Sequence, residues 1–255
     1  MNERFLTSPL LSALTGVRHA FSTRVGGVSR GVFASLNLSF GPDDPAHVTT
    51  NRARLAEAAG LHGRWIEVQQ VHGDRVVDAV DVGPDTQADA VVVGQPGVFA
   101  AVRTADCVPV LVAALDATRR PVAAAAIHAG WRGAVAGVVS RTIERLVALG
   151  HPPSTLRVAT GPAISVGHFE VGPEVVEAAA TALGGRTPPI RMGPNRRPHL
   201  DLPALVRLQL EEAGVPAQHL DVSTVCTYAD ADRFFSYRRQ QGRCGHHLSL
   251  VGFVS

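Results

Sequence analysis

Between Val102 and Gly133 the chain reads VRTADCVPVLVAALDATRRPVAAAAIHAGWRG, which holds two apolar runs, Val108–Leu115 and residues 122–127. A strand with one wet face alternates polar with apolar side chains, whereas these runs carry no polar side chain at all. They therefore read as strands covered on both faces, and they are too short to cross a bilayer. Each run borders a polar, glycine- or aspartate-bearing loop. The first loop presents Cys107 and the second presents His128. A third residue of the same chemical kind, His72 in Gln69-Gln70-Val71-His72-Gly73, follows a strand-like run at 64–68. Rigid strand ends are where chains place reactive side chains. If the three loops converge, they form a Cys/His₂ site.

Further strands are expected at 17–21, 75–80, 88–93, 98–103, Leu156–Thr160, 220–225 and 248–254, separated by Gly, Pro and Asp turns. Helices are expected from Pro45 to Gly60, with acidic residues at the start and glycine as the stop, and at 173–183 and 201–213, the last with Asp201 as N-cap. A further helix runs from Gly133 to Gly150 on a stripe of Val135, Val138, Val139, Thr142, Leu146 and Leu149. The turn at Gly130 thus leads into a helix start, where free N–H groups favour an anion. Residues 184–198 (GGRTPPIRMGPNRRP) read as a mobile surface loop. Strands outnumber helices and only some are joined by them, so a layered α+β fold with mixed sheets is expected.

The glycine-rich segment 22–31 contains Gly27-Val28-Ser29-Arg30-Gly31, formally a nucleophile elbow. An elbow needs a helix directly after it, and residues 32–38 are not helix-like, so the segment reads as a turn with Arg24 placed to attract an anion.

With 24 Lys+Arg against 22 Asp+Glu, nothing in the charge balance calls for nucleic acid or an anionic membrane, which leaves a small-molecule partner. The 255 residues show no composition break, so a single domain is expected over the whole chain, acting as a monomer. The N-terminal residues do not resemble a signal peptide, and three cysteines leave one unpaired under any disulfide scheme. A reducing, cytoplasmic setting follows.

For the Cys/His₂ set, zinc accepts both thiolate and imidazole, and three protein ligands leave one tetrahedral position for water or substrate. Such a centre lowers the pKa of bound water to about 7. Asp106 is placed either to orient a ligand or to cap its turn. The same residues admit a metal-free alternative in which Cys107 is the nucleophile and His128 its base, acting on a small amide or ester. No dinucleotide or P-loop motif is present.

Eight segments taken together resemble the YfiH-type laccase-domain family, also described as multicopper polyphenol oxidoreductases and as purine nucleoside phosphorylases. They are Arg24-Val25-Gly26-Gly27-Val28-Ser29, Ser35-Leu36-Asn37-Leu38, Gln70-Val71-His72-Gly73, Thr104-Ala105-Asp106-Cys107-Val108-Pro109-Val110, His128-Ala129-Gly130-Trp131-Arg132-Gly133, Gly161-Pro162-Ala163-Ile164, Phe169-Glu170-Val171-Gly172 and Phe234-Phe235-Ser236-Tyr237-Arg238-Arg239. The resemblance implies an α/β/β/α layered sandwich and a zinc ion on His72, Cys107 and His128, with zinc ahead of copper. It also implies phosphorolysis of adenosine, inosine and S-methyl-5'-thioadenosine, with adenosine deamination alongside. On this view Arg24 and Arg132 are phosphate candidates, and Asn37 and Gln70 are candidates for sugar or base. Amide hydrolysis that edits cell-wall precursors is the family's other reading. Copper-oxidase chemistry is not expected, because eleven scattered histidines contain no H-x-H grouping. The sequence departs from the family around Gly242-Arg243-Cys244-Gly245-His246-His247, where two adjacent histidines would point to opposite faces of a strand and so not share one ion.

Overall fold

A computed structural model describes residues 4–193 and 196–254. In chain order the elements are β1 (Phe5–Leu6), α1 (Pro9–Ser12), β2 (Val17–Ser22), α2 (Pro45–Ala59), β3 (Arg64–Ile66), β4 (Val76–Asp78), β5 (Ala90–Val93), β6 (Val98–Thr104), β7 (Val108–Leu115), β8 (Pro121–Ala129), α3 (Trp131–Ala136), α4 (Val138–Ala148), β9 (Leu156–Thr160), α5 (Pro173–Ala182), β10 (Ile190–Met192), β11 (Pro198–Leu200), α6 (Leu202–Glu212), β12 (Leu220–Val222) and β13 (His247–Phe253). Two mixed sheets dominate, ordered β1-β2-β13-β6-β3 and β12-β9-β7-β8-β5-β4. Within each, antiparallel pairs form the centre, and a parallel pair closes one or both edges.

Strand side chains alternate between faces, so cluster membership along one strand shows what covers each face. On β8, Ala123, Ala125, Ile127 and Ala129 pack with the helices α4, α5 and α6, whereas Ala124 and Ala126 meet Phe21, Val102 and Val251 of the other sheet. On β7, Val108, Val110 and Val112 take the helix side, and Leu111 and Ala113 the inter-sheet side. On β6, Ala100 and Val102 face inward, while Phe99 and Ala101 pack with Leu36, Leu38 and Leu55 of the α2 layer. The order of layers is therefore α, β, β, α, as the resemblance implied. It explains why the two long runs lack polar side chains: both faces of these strands are buried.

Capping follows the sequence where a specific residue enforces it. Asp44 caps α2 by accepting from Ala46 N–H, and Gly60 ends it at φ +62°. Asp201 caps α6 through Ala204 N–H. Two expectations need correction. The helix after Gly130 is broken: α3 is six residues long and stops at Gly137, whose φ of +96° no helix continues through, and α4 begins there. Leu149 lies past the end of α4 and is exposed. Residues 184–198 are not simply a loop. Ile190–Met192 pairs antiparallel with Pro198–Leu200, because Leu200 is buried in the helix-side core and Ile190 packs against it. Residues 194 and 195 of that segment lie outside the described residues.

Two core histidines make the fold acid-sensitive. His19 Nε2 accepts from Ser8 N–H at 2.8 Å, and His247 Nε2 accepts from Phe235 N–H at 2.9 Å. Burial pushes them down to about 4 and about 3, against an ordinary 6.5. Each ring is neutral when folded and takes a proton more readily when unfolded. The stability they contribute is complete above pH 6.5 and is lost as pH falls from 6.5 toward 4 and then 3, on the order of 3 kcal/mol or more per ring. Urea midpoints measured from pH 7 to pH 4 will fall steadily. A flat profile would contradict the assignment.

Candidate metal centre

The layer arrangement puts three site residues on one surface. Odd-numbered residues of β5 and β7 and even-numbered residues of β8 face the gap between the sheets. Extending that alternation past the last apolar pair brings Asp89, Cys107 and His128 to the same face at one open end of the sandwich. His128 lies within β8, paired with Pro109, and not in the loop expected for it; its N–H donates to Asp89 O at 2.7 Å and prolongs the ladder. His72 arrives from a turn, at φ +59°.

The ligand atoms of His72, Cys107 and His128 all lie within 4.8 Å of one another. Cys107 Sγ is 3.9 Å from His72 Nε2, and the two imidazoles meet edge to face with centroids 4.6 Å apart. Burial raises the Cys107 thiol, but His128 and His72 beside it overcome that and hold it well below the usual thiol range. Burial opposes charge on His128, yet Cys107 and Asp89 carry it upward.

Asp89 is the residue that sequence reasoning missed. It is fully buried. Burial works against its charge, but bonds from His128 and from the Gly73 and Val71 amides hold its carboxyl below the ordinary range. Oδ1 accepts from His128 Nδ1 at 2.7 Å and His72 N–H at 3.0 Å; Oδ2 accepts from Gly73 N–H at 2.7 Å and Val71 N–H at 3.2 Å. An ionised carboxylate can only accept, so Nδ1 carries the His128 proton and Nε2 is left for a ligand. One side chain thus fixes the tautomer of one imidazole and the loop that carries the other. The available signal was an acid at the mouth of an unbroken apolar strand, Ala90–Val93.

Asp106 has a different task. Its oxygens accept from Thr227 Oγ1 (2.6 Å), Ser236 Oγ (2.9 Å) and Arg238 N–H (2.7 Å), tying a distant loop to the Cys107 turn. Gly130 sits against the centre: a Cβ there would stand 2.8 Å from His72 Cδ2 and 3.0 Å from Cys107 Sγ. Gly130→Ala will therefore push the ligand set apart. We expect retained folding with at least about tenfold weaker zinc binding, the scale of a disturbed ligand shell, read by competition with a chromogenic chelator; unchanged affinity would show that the set tolerates displacement.

The centre lies in a cavity of about 740 Å³. Around it stand the cations Arg103, Arg132 and Arg238 and the rings of Trp131, Phe169 and Tyr237. Arg132 covers the Trp131 ring at 4.4 Å and Arg238 the Phe169 ring at 5.2 Å. Of the four side chains singled out for substrate, Arg132 and Gln70 line this cavity. Gln70 spends its amide on the backbone of Arg103, accepting at 2.7 Å and donating at 2.8 Å. Arg24 and Asn37 lie outside the lining. Arg24 donates to the carbonyls of Ala34 and Ala231, and Asn37 bonds Ser39, Asp43 and the His246 N–H. Both brace the glycine-rich segment and its neighbours. Ser29, from the nucleophile-like motif, donates to Asp43 and has no histidine partner. His246 lines the cavity, while His247 packs against Phe234 and Phe235, so the adjacent rings do part to separate environments.

The donor set fits a divalent metal. Two imidazoles and a thiolate converge, one imidazole is oriented by a carboxylate, and Gly130 leaves room beside them.

The family described as multi-copper polyphenol oxidoreductase laccase matches residues 18–254. A purine nucleoside phosphorylase of Deinococcus radiodurans is 43% identical over 246 residues, covering 96% of this chain and 92% of the relative. One of Pseudomonas aeruginosa is 42% identical over 240 residues, covering 92% and 93%. The crystal structure of YlmD from Geobacillus stearothermophilus superposes with a TM-score of 0.89 at 32% identity, covering 100% of this chain and 98% of that one. The match runs from β2 through β13 and takes in every element that carries the centre, so the chain belongs to this laccase-domain family, whose relatives bear the name purine nucleoside phosphorylase.

Proposed function

We propose that the protein is a zinc-dependent purine nucleoside phosphorylase. Adenosine, inosine and S-methyl-5'-thioadenosine are its substrates with phosphate, the products are the base and a (methylthio)ribose 1-phosphate, and adenosine deamination is a second activity of the same centre. The observation that carries this reading is the convergence of His72, Cys107 and His128 in a cavity that also holds three arginines and three aromatic rings. The names of the relatives support the reaction class. A bound divalent ion supplies a Lewis acid and keeps Cys107 as thiolate. Arg103, Arg132 and Arg238 attract phosphate and offset charge that develops as the glycosidic bond breaks. Trp131, Phe169 and Tyr237 give the purine apolar faces to lie against. Arg24 and Asn37 act at one remove, by holding the segments behind the cavity.

A second reading, a thiol hydrolase of a small amide, rests on the lowered Cys107 and raised His128, which make a nucleophile and base pair. Pure protein incubated with adenosine, with and without phosphate and chelator, separates the two. Phosphate-dependent ribose 1-phosphate that a chelator abolishes supports the first. Metal-independent amide hydrolysis that persists in His72→Ala supports the second. No nucleoside turnover under any condition overturns the first.

A further inference from the structure

We propose that His246 is a specificity-determining residue whose imidazole hydrogen-bonds the 6-position edge of the purine, serving both 6-amino and 6-oxo bases; this rests on the nucleoside phosphorylase reading. The backbone of His246 is fixed. Its N–H donates to Asn37 Oδ1 at 2.9 Å, and its carbonyl accepts from Leu38 N–H at 3.1 Å. Its ring, half-buried on the cavity wall, has no hydrogen-bond partner at either nitrogen among the described residues. A polar ring held in place by its backbone, lining the cavity with both nitrogens uncommitted, is free to bond a ligand there.

The neighbouring arginines set off this ring. Arg103, Arg132 and Arg238 can only donate. The Gln70 amide bonds the Arg103 backbone at both ends, and Asp106 accepts from Thr227, Ser236 and Arg238. An exocyclic amino group brought against the arginines meets no acceptor in them; the His246 ring supplies one, alongside the lining hydroxyls of Ser39 and Tyr237. A neutral imidazole offers one donor and one acceptor, and exchange of tautomer swaps them. The same ring then accepts from a 6-amino group or donates to a 6-oxo group without moving. Burial, followed by the charge of Arg103, pushes His246 down to about 4, so it is neutral in the working range.

The test compares adenosine, inosine and purine riboside, which has hydrogen at the 6-position, on metal-loaded protein with phosphate. His246→Ala will lower kcat/KM about tenfold for adenosine and inosine, mainly through KM, and less than about twofold for purine riboside. His246→Gln, whose amide rotates to present either oxygen or NH₂, will recover part of the loss for both natural bases. Zinc content will stay at the wild-type value in both variants. Equal losses on all three nucleosides, no loss on any, or a drop in bound zinc overturns the proposal. Failure of the wild-type protein to turn over any of the three is a different result: it removes the functional reading itself, before any substitution is made.

Discussion

Replacing Cys107 by alanine will leave a folded protein that retains little zinc and whose phosphorolysis falls about a thousandfold or more, the scale seen when one member of a unit of cooperating groups is removed. The sulfur is the only anionic donor of the set, and the two imidazoles alone cannot offset the charge of a divalent ion. Alanine fits the vacated volume, and the flanking strand β7 is held by β8 and β9 regardless, so unfolding is not the expected cause. Cys226 is the matched control: its sulfur accepts from Ser165 N–H and Oγ and stands outside the cavity lining. Cys226→Ala will keep metal and activity. Zinc per chain, measured by elemental analysis after gel filtration, decides the matter. Full zinc in Cys107→Ala would mean that the thiol is not a ligand, and activity lost with zinc retained would favour the thiol-nucleophile reading.

Asp89→Asn will weaken zinc binding by roughly ten- to a hundredfold, although Asp89 is not itself a ligand. Two donors converge on each carboxylate oxygen, so either orientation of an amide sets its NH₂ against two of them. His128 then loses the acceptor that fixes its tautomer, and the 71–73 turn loses its anchor. The His128 Nδ1–H is buried, and leaving it unsatisfied costs about 1–3 kcal/mol, so thermal stability will fall as well. Asp106→Asn separates the two effects: it loosens the 227–238 loop without touching His72 or His128. Competition titration should show near-normal zinc affinity in Asp106→Asn and weakened affinity in Asp89→Asn. Equal affinities would show that Asp89 does not orient the ligand set.

The layered fold was legible because its cause is local. Buried runs such as Val108–Leu115 carry their two-faced burial in composition, and helix ends such as Asp44 and Gly60 carry their own caps. His72, Cys107 and His128 stood out because reactive side chains at strand ends have little to gain from packing. What the sequence hid depends on pairing between strands. Asp89 is 17 residues from His72 and 39 from His128, and only the β5–β8 register brings it under both. Arg24 shows the opposite case: a cation in a glycine-rich segment resembles an anion site, yet in the fold it donates to the carbonyls of Ala34 and Ala231 and stands outside the cavity lining. Gly137 ended a helix whose apolar stripe continued through it, because a stripe records which side is buried and is silent on backbone continuity.

Strand β13 is inserted between β2 and β6, and the loop just before it supplies Tyr237, Arg238 and His246 to the cavity. β2 and β6 do not pair with each other, so the middle of one sheet closes only where β13 docks. Completion of that sheet and completion of the binding chamber are therefore one event, and a substitution that weakens β13 pairing loosens the barrier between the hydrophobic layers and the chamber wall together.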